Sequence, residues 1–176
     1  MARIPYVSAD LAEPWEIVDA VRARRGGSLL NLDRMLLHSP ELARGWNAHL
    51  GAVRTRLSLP ASLRELAMCV VAVLNGAEYE FIHHAPLFIE AGGSQAQVDA
   101  LRDPQRAASD TGLFDARERA ALQVAIQMTR SVQVDDTAFE ALAARLPRQA
   151  LVEFIATVAT YNMVSRFLVA LGVEPE

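Results

Sequence analysis

Lysine is absent from this chain: all seventeen residues of its Lys+Arg count are arginine. Imine chemistry on a lysine amine is thereby excluded, as is a phosphate-cradling P-loop lysine. Cysteine is nearly absent too. The lone Cys69 rules out an intramolecular disulfide, a CxxC redox pair and any multi-cysteine zinc site, since each needs a second thiol. A concentrated positive charge is also missing. The net charge is -4 and the arginines are scattered, apart from Arg22, Arg24 and Arg25, so the electrostatic footprint of a nucleic-acid binder is lacking. The opening stretch MARIPYVSADLAEPW meets Pro5, Asp10 and Glu13 before any apolar run long enough for a signal-peptide core. The expectation is a cytoplasmic protein with neither a nucleic-acid nor a membrane partner.

The most membrane-like run, Phe154 to Val173, contains Asn162 and Arg166, which are costly in hydrocarbon. It reads as a buried helix, either central in a core or at a subunit interface. The composition is otherwise that of a core-forming globular chain, with 52% hydrophobic and 22% charged residues among 176, and disorder is excluded. Such a length suits one domain.

Proline and glycine punctuate the sequence into helix-sized pieces rich in Ala, Leu, Glu and Arg. Pro14 suits the first turn of a helix running to about Arg25, ended by Gly26 and Gly27, and a short helix follows from Ser28. Pro40 opens a third helix in which Leu42, Trp46, His49, Leu50 and Val53 share a face. From Ser62 a helix runs to Leu74, meets Asn75-Gly76 as a turn or kink, and resumes through Glu90 until Gly92 and Gly93. SQAQVDALR, DARERAALQVAIQMTRSV with Asp115 as N-cap, DDTAFEALAARL and PRQALVEFIATVATYNMVSRFLVALG supply the remaining helices. MCVVAVL is β-branched enough to be ambiguous in isolation, but its flanks are helical. The reading is an all-α, single-domain bundle, with residues 1–27 as an amino-terminal arm and 28–176 as the domain.

Chemistry-bearing side chains are densest in NGAEYEFIHHAP, Asn75 to Pro86. Glu80 and His84 are four apart and so share a helix face, and Glu80 also stands three residues from His83. Imidazole titrates near neutral pH, and a neighbouring carboxylate orients it and favours its charged form, so such a pair can move a proton. The same spacing also describes a solvated surface pair. The apolar Phe81, Ile82, Leu87, Phe88 and Ile89 argue that one polar stripe of this helix is buried. A metal site is disfavoured, because adjacent histidines point about 100 degrees apart on a helix and no HExxH pattern is present. His38 and His49 lie on other segments and read as cap or interface residues. Glu65 falls in a first helical turn, where the dipole and a capping box with Ser62 would explain it. Cys69 is on the same face one turn later, and a glutamate buried there would need a partner.

These residues resemble the carboxymuconolactone decarboxylase family, which includes the alkylhydroperoxidase D-like proteins. In the family's peroxidase branch a glutamate precedes a CxxC pair by twelve residues and a histidine follows its first cysteine by seven. Glu65 stands twelve before Ala77 and His84 seven after it, while the CxxC positions read Ala77-Glu78-Tyr79-Glu80. The likeness runs from LLHSPELARGWN through LPASLRELAM and NGAEYEFIHHAPLFIEAG to YNMVSRFLVALGVEPE. It implies an alkylhydroperoxidase D-like helical fold, commonly assembled into trimers or hexamers. Dithiol peroxidase chemistry needs both cysteines and does not carry over. The decarboxylase branch, which also lacks the CxxC, is the better match. It converts a carboxymuconolactone to an enol-lactone with loss of carbon dioxide, and the proton this requires calls for a positioned acid rather than a cofactor.

The resemblance thus implies a cofactor-free lyase for a small carboxylated lactone or ring-cleavage product. On this reading His84 delivers or relays the proton, Glu80 orients and tunes it, and Glu65 takes part with Tyr79 and His83 in support. Arg166 and Asn162 are candidates for the substrate carboxylate; an internal salt bridge is the other reading of Arg166. Two alternatives stay open: a member whose Glu/His cluster is structural in a non-catalytic oligomer, and a one-cysteine peroxidase using Cys69.

Overall fold

A computed structural model describes all 176 residues. Every regular element is a helix. The chain divides into two compact units, Met1–Leu57 together with Ala170–Glu176, and Ser58–Val169.

The first unit holds α1 (Trp15–Arg25), α2 (Asn31–Leu36) and α3 (Pro40–Thr55). Gly26, at φ 79°, ends α1 in the left-handed conformation that favours glycine. The expected boundary after residue 27 lies inside this unit, because Ile17, Val18 and Val21 are buried and α1 packs on α3. On α3 the buried face is Ala43, Trp46, Leu50 and Val53. Leu42 and His49, expected on that face, are exposed. Ala43 covers that part of the interface, so the buried stripe begins one position later than Leu42. The basic cluster near residue 24 also has a structural use. Arg25 grips the buried Asp33 with two hydrogen bonds, Nε to Oδ2 at 2.9 Å and Nη2 to Oδ1 at 3.0 Å, the two-pronged geometry that suits guanidinium and carboxylate. Arg22 Nη2 donates to the Ala9 carbonyl at 3.0 Å.

The second unit holds α4 (Ala61–Leu74), α5 (Glu78–Glu90), α6 (Gln95–Ala100), α7 (Pro104–Ala107), α8 (Ala116–Ser131) and α9 (Asp136–Ala143), with α10 (Arg148–Leu171) running through it to residue 169. The four-residue α7 is too short to leave a periodic signal in the sequence. Asp115 caps α8, accepting from the backbone N–H groups of Arg117 and Glu118 at 2.7 Å each.

Helix α4 is central. Nine consecutive or nearly consecutive positions from Leu63 to Ala72 include no exposed residue, and α4 packs on both α5 and α8. A helix apolar on all sides needs cover on all sides, which is why MCVVAVL is helical despite its β-branched residues. Asn75-Gly76 is a full turn rather than a kink. Gly76 takes φ 65°, the Ala77 N–H reaches the Ala72 carbonyl at 2.8 Å and the Gly76 N–H reaches Val73 at 3.2 Å. That paired capping ends α4 and lets α5 fold back along it.

Helix α10 is long and apolar enough to cross a membrane by length and composition, yet half of that stretch is buried within the protein. Phe154, Val158, Tyr161, Asn162 and Leu168 face inward, whereas Val152, Met163 and Val169 are exposed. Burial is therefore one-sided, not all-round.

Candidate active site

The α4–α5 hairpin puts Glu65 opposite the second turn of α5. Glu65 does not form the expected capping box: Pro60 occupies the N-cap and no side chain caps α4. Because α4 has no solvent-facing side at this level, the carboxylate turns into the core, where it is 3% exposed. On α5 the buried positions Tyr79, Glu80, Phe81, His84 and Phe88 follow the helical period, so Glu80 and His84 enter the same interior.

Three residues converge there. His84 Nδ1 lies 2.6 Å from Glu65 Oε2, and His84 Nε2 lies 3.1 Å from Glu80 Oε2. Arg64 Nε donates to the other Glu65 oxygen, Oε1, at 3.1 Å. Tyr161, from α10, sets its ring edge-on to the imidazole with centroids 4.9 Å apart. His84 and Glu80 are 2% and 4% exposed, so the interactions run in a medium that screens charge poorly.

Burial opposes charge on His84, but the hydrogen bonds and charges of Glu65 and Glu80 together outweigh it and raise the imidazole's proton affinity above its usual value. Burial likewise pushes the Glu65 carboxyl up, and the His84 hydrogen bond, with the charges of His84 and Arg64, more than reverses this and holds Glu65 below the usual carboxylate range. A carboxylate oxygen stands at each ring nitrogen, an arrangement that favours the charged imidazole, and both nitrogens are engaged within the protein. The cluster can hold a proton and pass it along a line from α4 to α5.

The other sequence candidates fall elsewhere. Tyr79 stacks on His83, centroids 4.4 Å apart, and His83 Nδ1 donates to the Tyr79 carbonyl at 2.7 Å, so these two pair with each other on the flank of α5. Asn162 is committed to positioning: its Nδ2 donates to Thr129 Oγ1 and the Val158 carbonyl, each at 3.0 Å, and its Oδ1 accepts from Asn75 at 3.1 Å. It thereby ties the α4–α5 turn to α8 and α10. Arg166 is exposed. Cys69 is fully buried, and desolvation, reinforced by the charge of Glu65, pushes its thiol up to about 12. Such a thiol is not a nucleophile at neutral pH.

Arg64 and Tyr161 were not legible as site residues. Arg64 is adjacent in sequence to Glu65, and neighbours on a helix do not ordinarily face each other. Tyr161 comes from a helix 77 residues beyond His84 and carries no spacing signal.

Residues 40–127, half of the chain, match the sequence profile of the carboxymuconolactone decarboxylase family. The protein belongs to that family. This carboxymuconolactone decarboxylase family member matches no curated protein in sequence. Its fold is shared with solved structures at 19% identity. A peroxidase-related protein from Silicibacter sp. TM1040 superposes with a TM-score of 0.79 over 99% of this chain and 90% of that one. The debrominase Bmp8, as a cysteine-to-alanine variant in complex with 2,3,4-tribromopyrrole, gives 0.81 over 100% and 94%. A peroxidase-related protein from Ralstonia eutropha JMP134, described as an alkylhydroperoxidase AhpD core, gives 0.79 over 99% and 92%. The family member therefore has the alkylhydroperoxidase D-like fold.

Proposed function

We propose that the protein is a cofactor-free carboxy-lyase acting on a small unsaturated lactone carboxylate or a related aromatic ring-cleavage product. The observation that carries this reading is the buried line Glu65–His84–Glu80, a proton-holding arrangement set between α4 and α5. Decarboxylation of such a substrate breaks the bond between carbon and carboxylate, releases carbon dioxide and leaves an electron pair spread along the conjugated lactone. A proton must then bond to the far carbon of that system, and an imidazolium flanked by two carboxylates is a source of it. Low exposure keeps bulk water from competing for the carbanion. The absence of a second thiol and of any lysine removes the dithiol and imine routes.

Assembly into a trimer or hexamer belongs to the same proposal. Ile82 and Ile89 on α5 and Met163 and Val169 on α10 are apolar and exposed, and a second copy would cover them.

The test is carbon dioxide release from a carboxymuconolactone. Wild-type protein should turn it over, and Glu80→Gln and His84→Asn should each lose roughly 100-fold or more with unchanged circular dichroism. No release by the wild type, or undiminished release by both variants, rejects the lyase reading.

A further inference from the structure

Resting on the lyase reading, we infer that Glu80, through Oε1, is the group that meets the substrate, and that His84 and Glu65 are positioning residues behind it. The resemblance has His84 deliver or relay the proton with Glu80 orienting it; on this inference His84 relays and Glu80 delivers.

Each polar atom of the cluster can be followed to its partner. Glu65 uses Oε2 on His84 and Oε1 on Arg64. His84 uses Nδ1 on Glu65 and Nε2 on Glu80. A face of the imidazole environment is closed by Tyr161. Glu80 is bonded through Oε2 only, which leaves Oε1 as the one carboxylate oxygen among the three residues not committed to a protein donor. A substrate carbon cannot displace His84 from both carboxylates without exposing two buried anions, a cost that the Glu80 route avoids. Glu80 also stands in the first turn of α5, at the end of the line of three residues. Ala77, one turn earlier, offers no acid or base.

The transfer balances as follows. The substrate loses carbon dioxide and keeps the electron pair as a delocalised carbanion. The His84 Nε2 proton passes to the Glu80 carboxylate, and the Glu80 carboxyl, turned so that this proton faces the substrate in the place of Oε1, delivers it to the distal carbon and is a carboxylate again. His84 is left neutral, still bonded to Glu65, and regains its proton from water after the product leaves. One proton enters the product, one is taken from solvent, and nothing is oxidised or reduced.

The titratable and charged groups around His84 are Arg64, Glu65 and Cys69 from α4, Glu80 from α5 and Tyr161 from α10. Within this set Glu65 acts on the substrate only through His84. Glu65→Gln should therefore keep measurable turnover but move the alkaline limb of kcat to lower pH, because it removes one of the two anions that favour imidazolium.

The deciding experiment uses the full-length protein labelled with 13C at glutamate carboxyls and 15N at histidine, titrated with a saturated five-membered lactone carboxylate that cannot decarboxylate. The Glu80 carboxyl resonance, assigned by its loss in Glu80→Gln, should shift, while both His84 nitrogens keep their protonated signatures. An unmoved Glu80 resonance overturns the assignment, and so does a shift confined to the His84 nitrogens. Carbon dioxide release from the unsaturated lactone is read separately. A shifting Glu80 in a protein that releases no carbon dioxide rejects the lyase reading and leaves Glu80 as the ligand-facing residue. Where release occurs, Glu80→Gln should lower kcat about 100-fold or more with KM altered less than about threefold.

Discussion

His84 Nδ1 stands 2.6 Å from Glu65 Oε2 across a gap of 19 residues, and this single contact joins the two helices of the hairpin electrostatically. Its partner on the other side, Glu80, sits on the same helix as His84. A charge network so buried is costly to break from one end, since the groups left behind have no water to turn to. His84→Ala should destabilise the protein by about 3–5 kcal/mol, the usual cost of stranding a buried partner, measured by urea denaturation. His84→Gln, which still donates a hydrogen bond, should cost less. A loss below about 1 kcal/mol for His84→Ala would mean that the pair behaves as a surface ion pair and is not sealed in the core.

The pH dependence of stability follows from the direction of the two shifts. His84 gains proton affinity on folding relative to its ordinary 6.5, so its contribution is fully present below 6.5 and is lost as pH rises through the raised folded value. Glu65 loses proton affinity relative to 4.5, so its contribution is present above 4.5 and is lost as pH falls through the lowered folded value. The advantage of wild type over a His84→Gln, Glu65→Gln double variant should be greatest between 4.5 and 6.5 and shrink on both sides. Melting temperatures across a pH series check this; a difference flat with pH contradicts it.

Cys69 should be chemically silent in the folded state. With its thiol pushed up to about 12 and no exposed surface, hydrogen peroxide should give no sulfenic acid detectable by dimedone trapping until the protein is unfolded. Cys69→Ala should leave turnover intact. Dimedone adduct formation under native conditions would restore the one-cysteine peroxidase alternative.

Two glycines of the site-bearing segment should respond to alanine for different reasons. At Gly93 an added methyl would sit 2.6 Å from the ring of Phe88, which is fully buried and cannot swing away, so Gly93→Ala should cost about 1–3 kcal/mol by overpacking. At Gly76 there is open space, but φ is 65°, and Gly76→Ala should cost about 1 kcal/mol through backbone strain alone. Trimming Phe88 to Leu in the same chain should offset part of the first loss and none of the second, as thermal melts would show.

The all-α reading, the helix pieces and the Asp115 cap were legible because they depend on short-range rules: 3.6-residue periodicity, proline at helix starts and glycine at their ends. Glu80 and His84 were legible for the same reason, since four residues on a helix bring two side chains to one face. The chain's shortages of lysine and cysteine were likewise decisive without any coordinates, because a reaction cannot use a group that is not there. Glu65 was singled out, yet the local rules that favour a carboxylate in a first turn pointed it toward a capping role with Ser62. Only the enclosure of α4 on every side turned it inward onto His84. The same holds for Leu42 and His49, which share a helical face with Trp46 but lie beyond the edge of what α1 and α2 cover. Sequence by itself determined which proton-carrying groups this protein owns and which two share a face. Tertiary packing decided the rest, for it brought Glu65, Arg64 and Tyr161 to His84 from α4 and α10, and by occupying both ring nitrogens it left the free oxygen of the cluster on Glu80.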